Sequence, residues 1–177
     1  RYQSSSIIIA QYGGLRNTSF HRQLIRSANS TSVRLVPRHL RTMYETAKAS
    51  GDEVRIAVVN GPDPVVLLAG AMSFDHPLDE LQVASALHER LHGSELRVFE
   101  LPNGVLAPAD SEYAMEARIT QRTDEEGPYV DITGTVDDIR HEPVIEYDAI
   151  HHRDSPIFHA LIPAGVEHMT LMLSLIH

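Results

Sequence analysis

The sequence predicts a β-rich α+β fold, a barrel or sandwich of short strands with a few flanking helices. Three observations carry this. Residues 7–9 are consecutive isoleucines, a β-branched run suited to a buried strand. From residue 95 onward the chain breaks into short β-like segments separated by proline, glycine and asparagine. One stretch, residues 78–91, has clear helical periodicity, with Leu81, Ala84, Leu87 and Leu91 at three- and four-residue steps.

Taken in order, residues 4–11 form the first strand, and Tyr12-Gly13-Gly14 turns the chain. Residues 33–36 alternate like a strand and stop at Pro37. Residues 39–50 have helical character and end at Gly51, a residue suited to a C-cap. Residues 54–59 are a further strand, closed by the turn Asn60-Gly61-Pro62-Asp63-Pro64, and residues 65–71 fit either a helix or a strand. In the helix at 78–91, Asp79 and Glu80 fall in the first turn, where the helix dipole favours negative charge. The remaining strand candidates are 95–101, 111–120, 129–136, 143–151 and 157–161.

The chain of 177 residues, 42% of them apolar, suits one domain spanning 1–177 with a real core. Its net charge of −9 argues against a general nucleic-acid binder, although six arginines fall between Arg16 and Arg41. The absence of cysteine excludes disulfides and thiolate metal sites. It suits a reducing compartment, and the expected location is cytoplasmic. No apolar run is long enough to span a membrane. The chain begins at Arg1 and ends in the apolar run Met169–Ile176, which reads as a piece of a longer protein or as a tail that docks on a partner.

Two groups of residues invite a chemical reading. Asn17, His39 and Glu80 offer an amide oxygen, an imidazole and a carboxylate, a set suited to Mn²⁺ or Mg²⁺. Arg22 with Glu126 and Asp131 offers a cation and two carboxylates, one of which can be held ionised while the other is poised to give a proton. Spacing alone singles out neither set. Asn17 also suits a turn, Glu80 a helix start, and Asp124-Glu125-Glu126 a solvated acidic turn. A third pattern, His88-Glu89-Arg90-Leu91-His92, matches the H-E-x-x-H signature of zinc hydrolases. It lies at the end of its helix, against Gly93, and no third-ligand pattern follows. A solvated helix end without metal is the favoured reading there.

Several segments, in order and over roughly residues 2–163, resemble the UbiD-type decarboxylases, which use a prenylated FMN. These are Asn17-Thr18-Ser19-Phe20-His21-Arg22 after a glycine turn, His39 some twenty residues on, and Gly61-Pro62-Asp63-Pro64. They continue with Ala69-Gly70-Ala71-Met72-Ser73, Pro77 to Glu80, Leu106 to Glu112 with Glu116, Glu126-Gly127-Pro128-Tyr129-Val130-Asp131, and His152 to Ile157. Many members have Gly and Tyr in place of Ser19 and His21; the form seen here resembles the archaeal-type branch.

The resemblance implies a split β-barrel of the flavin-binding type, and a chain that is the central cofactor-binding domain of a longer protein. It implies reversible, non-oxidative decarboxylation of an α,β-unsaturated or aromatic carboxylic acid. Cofactors would be prenylated FMN with Mn²⁺ (or Mg²⁺) and K⁺, supplied with the help of a flavin prenyltransferase, in a homo-oligomer. Metal ligation falls to Asn17, His39 and Glu80, catalysis to Arg22, Glu126 and Asp131, and flavin contacts to Thr18, Ser19, Phe20, Arg38, Ala71 and Met72. A zinc hydrolase using His88 and His92, and a non-catalytic flavin-binding or scaffold module, are the alternatives from other classes.

Overall fold

Strand β2 (Ser6–Tyr12) is buried on both faces because it lies between two apolar clusters. Ile8 and Ala10 join one cluster, while Ile7 and Ile9 join the other, as the period of two in a strand requires. This computed structural model describes residues 1–72, 78–131, 134–162 and 165–166; Pro77 and the apolar run at 169–176 lie outside the described residues. Gly13 and Gly14, both at positive φ, form the two-residue turn from β2 into β3 (Leu15–Phe20).

The central sheet has eight strands. Besides β2 and β3 it holds β1 (Tyr2–Gln3), β4 (Gln23–Ile25), β5 (Ser30–Val33) and β6 (Val54–Asn60). The two long strands β9 (Tyr113–Glu126) and β12 (Arg140–His152) complete it, in the order β1-β4-β5-β12-β9-β6-β2-β3. Neighbouring strands in this sheet pair antiparallel throughout the described residues. Two small hairpins lie outside it: β7 (Val98–Glu100) with β8 (Leu106–Pro108), and β10 (Tyr129–Val130) with β11 (Val136–Asp137).

Among the described residues, three helices flank the sheet. Helix α1 (His39–Ala49) buries Leu40, Met43, Tyr44 and Ala47 against the face that carries Ile8, Ile56 and Val58. Helix α2 (Pro64–Ala71) starts on an Asp63 cap whose side chain accepts from Val65 N, with Pro64 at its first position. Helix α3 (Glu80–His92) is capped by Asp79, which accepts from Leu81 N, and ends at Gly93 in the left-handed conformation. Both α2 and α3 cover the opposite face, where Val65, Val66, Ala69, Leu81 and Ala84 meet Ile7, Ile9, Ala57 and Val59. The result is the β-rich split barrel with a few helices that the sequence predicts. None of the helices is long and apolar enough to cross a membrane.

The structure differs from the sequence reading in several elements, among them β3 and β4, which the pattern does not mark, and β7, shorter than the strand expected at 95–101. The strand expected at 33–36 is β5, shifted back to Ser30–Val33. Its hydroxyl residues are satisfied there: Thr31 Oγ1 donates to Gln23 Oε1 at 3.1 Å, and Ser32 Oγ donates to the Glu125 carbonyl at 2.7 Å. The segment expected as one strand at 129–136 is the β10–β11 hairpin. Residues 111–120 are the first part of the longer β9. Residues 157–161 form no strand but a strap held by side chains. Asn60 Oδ1 accepts from His159 N, Asn60 Nδ2 donates to the His159 carbonyl, and Ser4 Oγ bonds to both N and O of Leu161.

Candidate functional site

A cavity of about 540 Å³ opens where β3, the start of α1, the end of α2 and the start of α3 meet. Strand β3 contributes Asn17, Thr18, Ser19 and Phe20. Arg38 and His39 come from the α1 N-terminus, Ala71 and Met72 from the α2 C-terminus, and Glu80 is the first residue of α3. The three residues read as metal ligands and the six read as flavin contacts therefore share one wall.

Asn17 and Glu80 are both buried, and they are bonded to each other. Asn17 Nδ2 donates to Glu80 Oε1 at 3.0 Å, and Thr18 N donates to Glu80 Oε2 at 2.8 Å. These two bonds fix the carboxylate, and the α3 dipole favours its charge at that end of the helix. Outside the cavity, Arg16 reaches the Asp79 cap at 2.6 Å, so β3 and α3 are tied twice. With Asn17 and Glu80 held by these bonds, the amide oxygen of Asn17 points to a second neighbour, the Ser19 hydroxyl at 2.9 Å.

That hydroxyl also lies 2.9 Å from His21 Nε2, while His21 Nδ1 lies 3.0 Å from the Arg34 carbonyl. A carbonyl can only accept, so Nδ1 carries the proton and Nε2 is the acceptor. Burial drives the His21 pKa down to about 4, against a smaller upward push from the Arg34 carbonyl. The imidazole is thus neutral at pH 7. It competes with Asn17 Oδ1 for the single Ser19 proton, and when His21 takes it Asn17 Oδ1 is left free to bind a cation.

Two further observations suit a metal and a phosphate-bearing ligand. Asn17, His39 and Glu80, all in the cavity lining, carry an amide oxygen, an imidazole and a carboxylate, donor types that suit Mn²⁺ or Mg²⁺. Thr18 Oγ1 is buried in the same wall without a hydrogen-bond partner. In addition, the N-cap residue of α1, Arg38, makes no side-chain cap. The first-turn N–H groups of that helix are then available to an anion, with a guanidinium beside them.

A second cluster follows directly on His21. Arg22 grips Glu126 with two bonds, Nε to Oε1 at 2.9 Å and Nη2 to Oε2 at 3.0 Å. Glu126 is fully buried at the end of β9, and Gly127, at φ +109°, lets the chain turn against the backbone of Asp138. An added Cβ on Gly127 would lie 2.8 Å from the Asp138 carbonyl oxygen. The Arg22 guanidinium stacks 4.3 Å from the Tyr129 ring centroid, and Tyr2 packs edge-on against Tyr129. Burial and the Glu126 charge push the Tyr2 hydroxyl up to about 12.

The second carboxylate on Arg22 is Asp137, at 2.6 Å. Sequence reasoning missed it. The signal was the hairpin, since Tyr129 pairs across the strands with Asp137. The Arg22 hydrogen bond, helped by Arg140 and opposed by partial burial, holds the Asp137 carboxyl below the usual range. On Arg22, burial pulls the pKa down, but the bonds to Glu126 and Asp137 outweigh it, so the group is more firmly cationic than usual. Asp131 lies in the loop between β10 and β11, where its Oδ1 accepts from Thr135 N at 3.1 Å. Arg34 Nε stands 3.8 Å from Asp137, so the residue whose carbonyl fixes His21 also faces the Arg22 cluster.

His88 and His92 lie at the far end of α3 from Glu80.

The chain matches, over residues 1–166, the domain described as 3-octaprenyl-4-hydroxybenzoate carboxy-lyase Rift-related, of the UbiD family. An anhydromevalonate phosphate decarboxylase of Methanocaldococcus jannaschii is 41% identical over 174 residues, which are 97% of this chain and 40% of that protein. The UbiD-class enzyme HmfF from Pelotomaculum thermopropionicum, solved in complex with FMN, superposes with a TM-score of 0.89 at 32% identity. The match covers 96% of this chain and 38% of that one. An evolved dimeric form of HmfF in complex with prFMN gives the same score and identity, with 96% and 40% covered. The chain thus spans about 40% of the length of these relatives. Its fold and sequence place it, residue 1 to residue 166, in the UbiD family.

Proposed function

We propose that this chain is the flavin-binding part of a longer decarboxylase, which removes CO₂ without net oxidation from an α,β-unsaturated carboxylic acid. The observation that carries this reading is the shared wall of Asn17, His39, Glu80 and the flavin-contact residues, next to the Arg22–Glu126 pair. Prenylated FMN is the cofactor, on the strength of the two HmfF structures, solved with FMN and with prFMN, and Mn²⁺ or Mg²⁺ is the cation that the donor types of Asn17, His39 and Glu80 suit. The substrate class follows five archaeal relatives, 36–41% identical, each named anhydromevalonate phosphate decarboxylase. A phosphorylated unsaturated acid is therefore favoured over an aromatic one. Cytoplasmic residence, a homo-oligomer and a flavin prenyltransferase as supplier of the cofactor complete this reading.

When bound, the prenylated flavin supplies the carbon that makes loss of CO₂ possible, and the protein supplies orientation and proton handling. Asn17, His39 and Glu80 would hold the cation on the wall that would also take the flavin phosphate. Thr18 Oγ1 and the open first turn of α1 complete the phosphate cradle. Arg22 cannot lose its charge, so it orients the substrate carboxylate and neutralises it. Glu126, fixed by two bonds, sets the Arg22 plane. Asp131 returns the proton to carbon after CO₂ leaves.

The test is production of the full-length protein together with a flavin prenyltransferase, followed by metal analysis, an absorption spectrum and assay with anhydromevalonate phosphate. One equivalent each of cation and modified flavin, with CO₂ release, is the expected result. Flavin and cation retained without CO₂ release would restrict the chain to a binding module.

A further inference from the structure

We propose a second metal site on this chain, formed by Asp63, His88 and His92, that takes a borderline divalent cation such as Zn²⁺. One ligand atom of each residue lies within 4.8 Å of the others, and His88 Nε2 is 4.0 Å from Asp63 Oδ2. Two ligands of a tetrahedral zinc stand roughly 3.3 Å apart, so side-chain rotation of less than an ångström or two closes the set. His88 and His92 are one turn apart on α3, with ring centroids 4.7 Å from each other.

The orientation of two of the three ligands is already fixed by a bond behind it. His88 Nδ1 donates to the Ser94 carbonyl at 2.6 Å, which leaves the Nε2 lone pair facing Asp63 and His92. Metal-binding histidines are held in this way, with the non-ligating nitrogen donating to a carbonyl or carboxylate. Asp63 spends Oδ1 on the cap of α2, accepting from Val65 N at 2.9 Å, and keeps Oδ2 for the cluster. His92 is exposed, so the site is open to water and to metal entry. Three N/O ligands with an open position are the donor number of a zinc site that keeps a water.

The position gives the site a role. Asp63 begins α2 and the two histidines end α3, whereas Ala71 at the other end of α2 and Glu80 at the other end of α3 line the flavin cavity. A cation here clamps the helix pair from outside and fixes the spacing of the cavity wall between Ala71 and Glu80. This is a separate site from the Asn17, His39 and Glu80 set, and it does not depend on which reaction the enzyme performs.

The test is calorimetric titration of chelator-treated, full-length protein with Zn²⁺ alone, repeated on His92→Ala, Asp63→Asn and Glu80→Gln, with melting curves beside it. Glu80→Gln, which lacks the charged ligand of the Asn17 set, should still bind one equivalent and melt higher in its presence, and His92→Ala and Asp63→Asn are read in that Glu80→Gln background. His92→Ala, a change at an exposed position that the fold tolerates, should weaken that binding by at least about tenfold, and Asp63→Asn likewise. Zinc binding that survives in His92→Ala, or that disappears in Glu80→Gln alone, would overturn the proposal.

Discussion

The His21 imidazole and the Ser19 hydroxyl are 2.9 Å apart, and Ser19 has one proton to give. Because Nδ1 of His21 is committed to the Arg34 carbonyl, its neutral Nε2 competes with Asn17 Oδ1 for that proton. The tautomer of a residue that binds no metal thereby sets whether Asn17 Oδ1 is free for one.

His21 makes stability pH-dependent. Its folded pKa of about 4 lies below the ordinary 6.5, so between those values the unfolded chain binds the extra proton. Stability is full above pH 6.5 and is lost as pH falls towards 4. From pH 7 to pH 5 the loss should be on the order of 2 kcal/mol, read from urea midpoints. His21→Gln should flatten that interval while leaving the steeper loss at lower pH, where Asp137 and its Arg22 bond titrate.

Glu80→Gln places an amide where both neighbours donate. Asn17 Nδ2 and Thr18 N each point at a carboxylate oxygen, so one of them must face the new NH₂ group. The mismatch should cost about 1–3 kcal/mol of stability. Loss of the charged ligand should weaken Mn²⁺ binding by at least about tenfold, measured by titration of the cofactor-free protein.

Removing Arg22 strands Glu126, which has no solvent exposure. Arg22→Ala should destabilise the protein by about 3–5 kcal/mol, in the range for breaking a buried ion pair. Adding Glu126→Gln should recover part of that stability but none of the decarboxylation. Metal binding at Asn17, His39 and Glu80 should change little in either variant.

Asp131 and Asp137 can be separated by proton exchange. Asp131→Asn should lower both decarboxylation and exchange of the product's vinylic proton with solvent by about 10²–10⁴-fold, the usual share of a general acid. Asp137→Asn removes a partner of Arg22, so it should raise KM more than it lowers exchange. Wild-type exchange in Asp131→Asn, with loss in Asp137→Asn, would move the acid role to Asp137.

Local signals were legible in the sequence wherever the residues involved are neighbours along it. The isoleucine triplet, the Gly13-Gly14 turn, the turn at 60–64, the acidic helix start at Asp79-Glu80 and the glycine stop at Gly93 each appear in the structure as elements or their ends. Pairings across the chain were not legible. Asp137 reaches Arg22 only because residues 129–137 fold back as a hairpin, and alternation alone reads that stretch as one strand. The strap at 157–161 is apolar like a strand, but its backbone is satisfied by Asn60 and Ser4 side chains, which no periodicity reveals. Asp63 joins His88 and His92 through the packing of α2 on α3, so the third ligand precedes the histidine motif instead of following it.

The cofactor wall draws on residues 17–80 alone, whereas Glu126, Asp131 and Asp137 all belong to one hairpin and the strand that leads into it. The two halves of the machinery are thus inherited from separate stretches of the chain. A lineage can vary the hairpin, and with it the acid that meets the substrate, without disturbing a single residue that grips the cation. Changes in the cavity-lining residues of that stretch carry the opposite liability, since they alter the cofactor before any substrate is met, whereas Arg22, within the same stretch, belongs with the hairpin it grips.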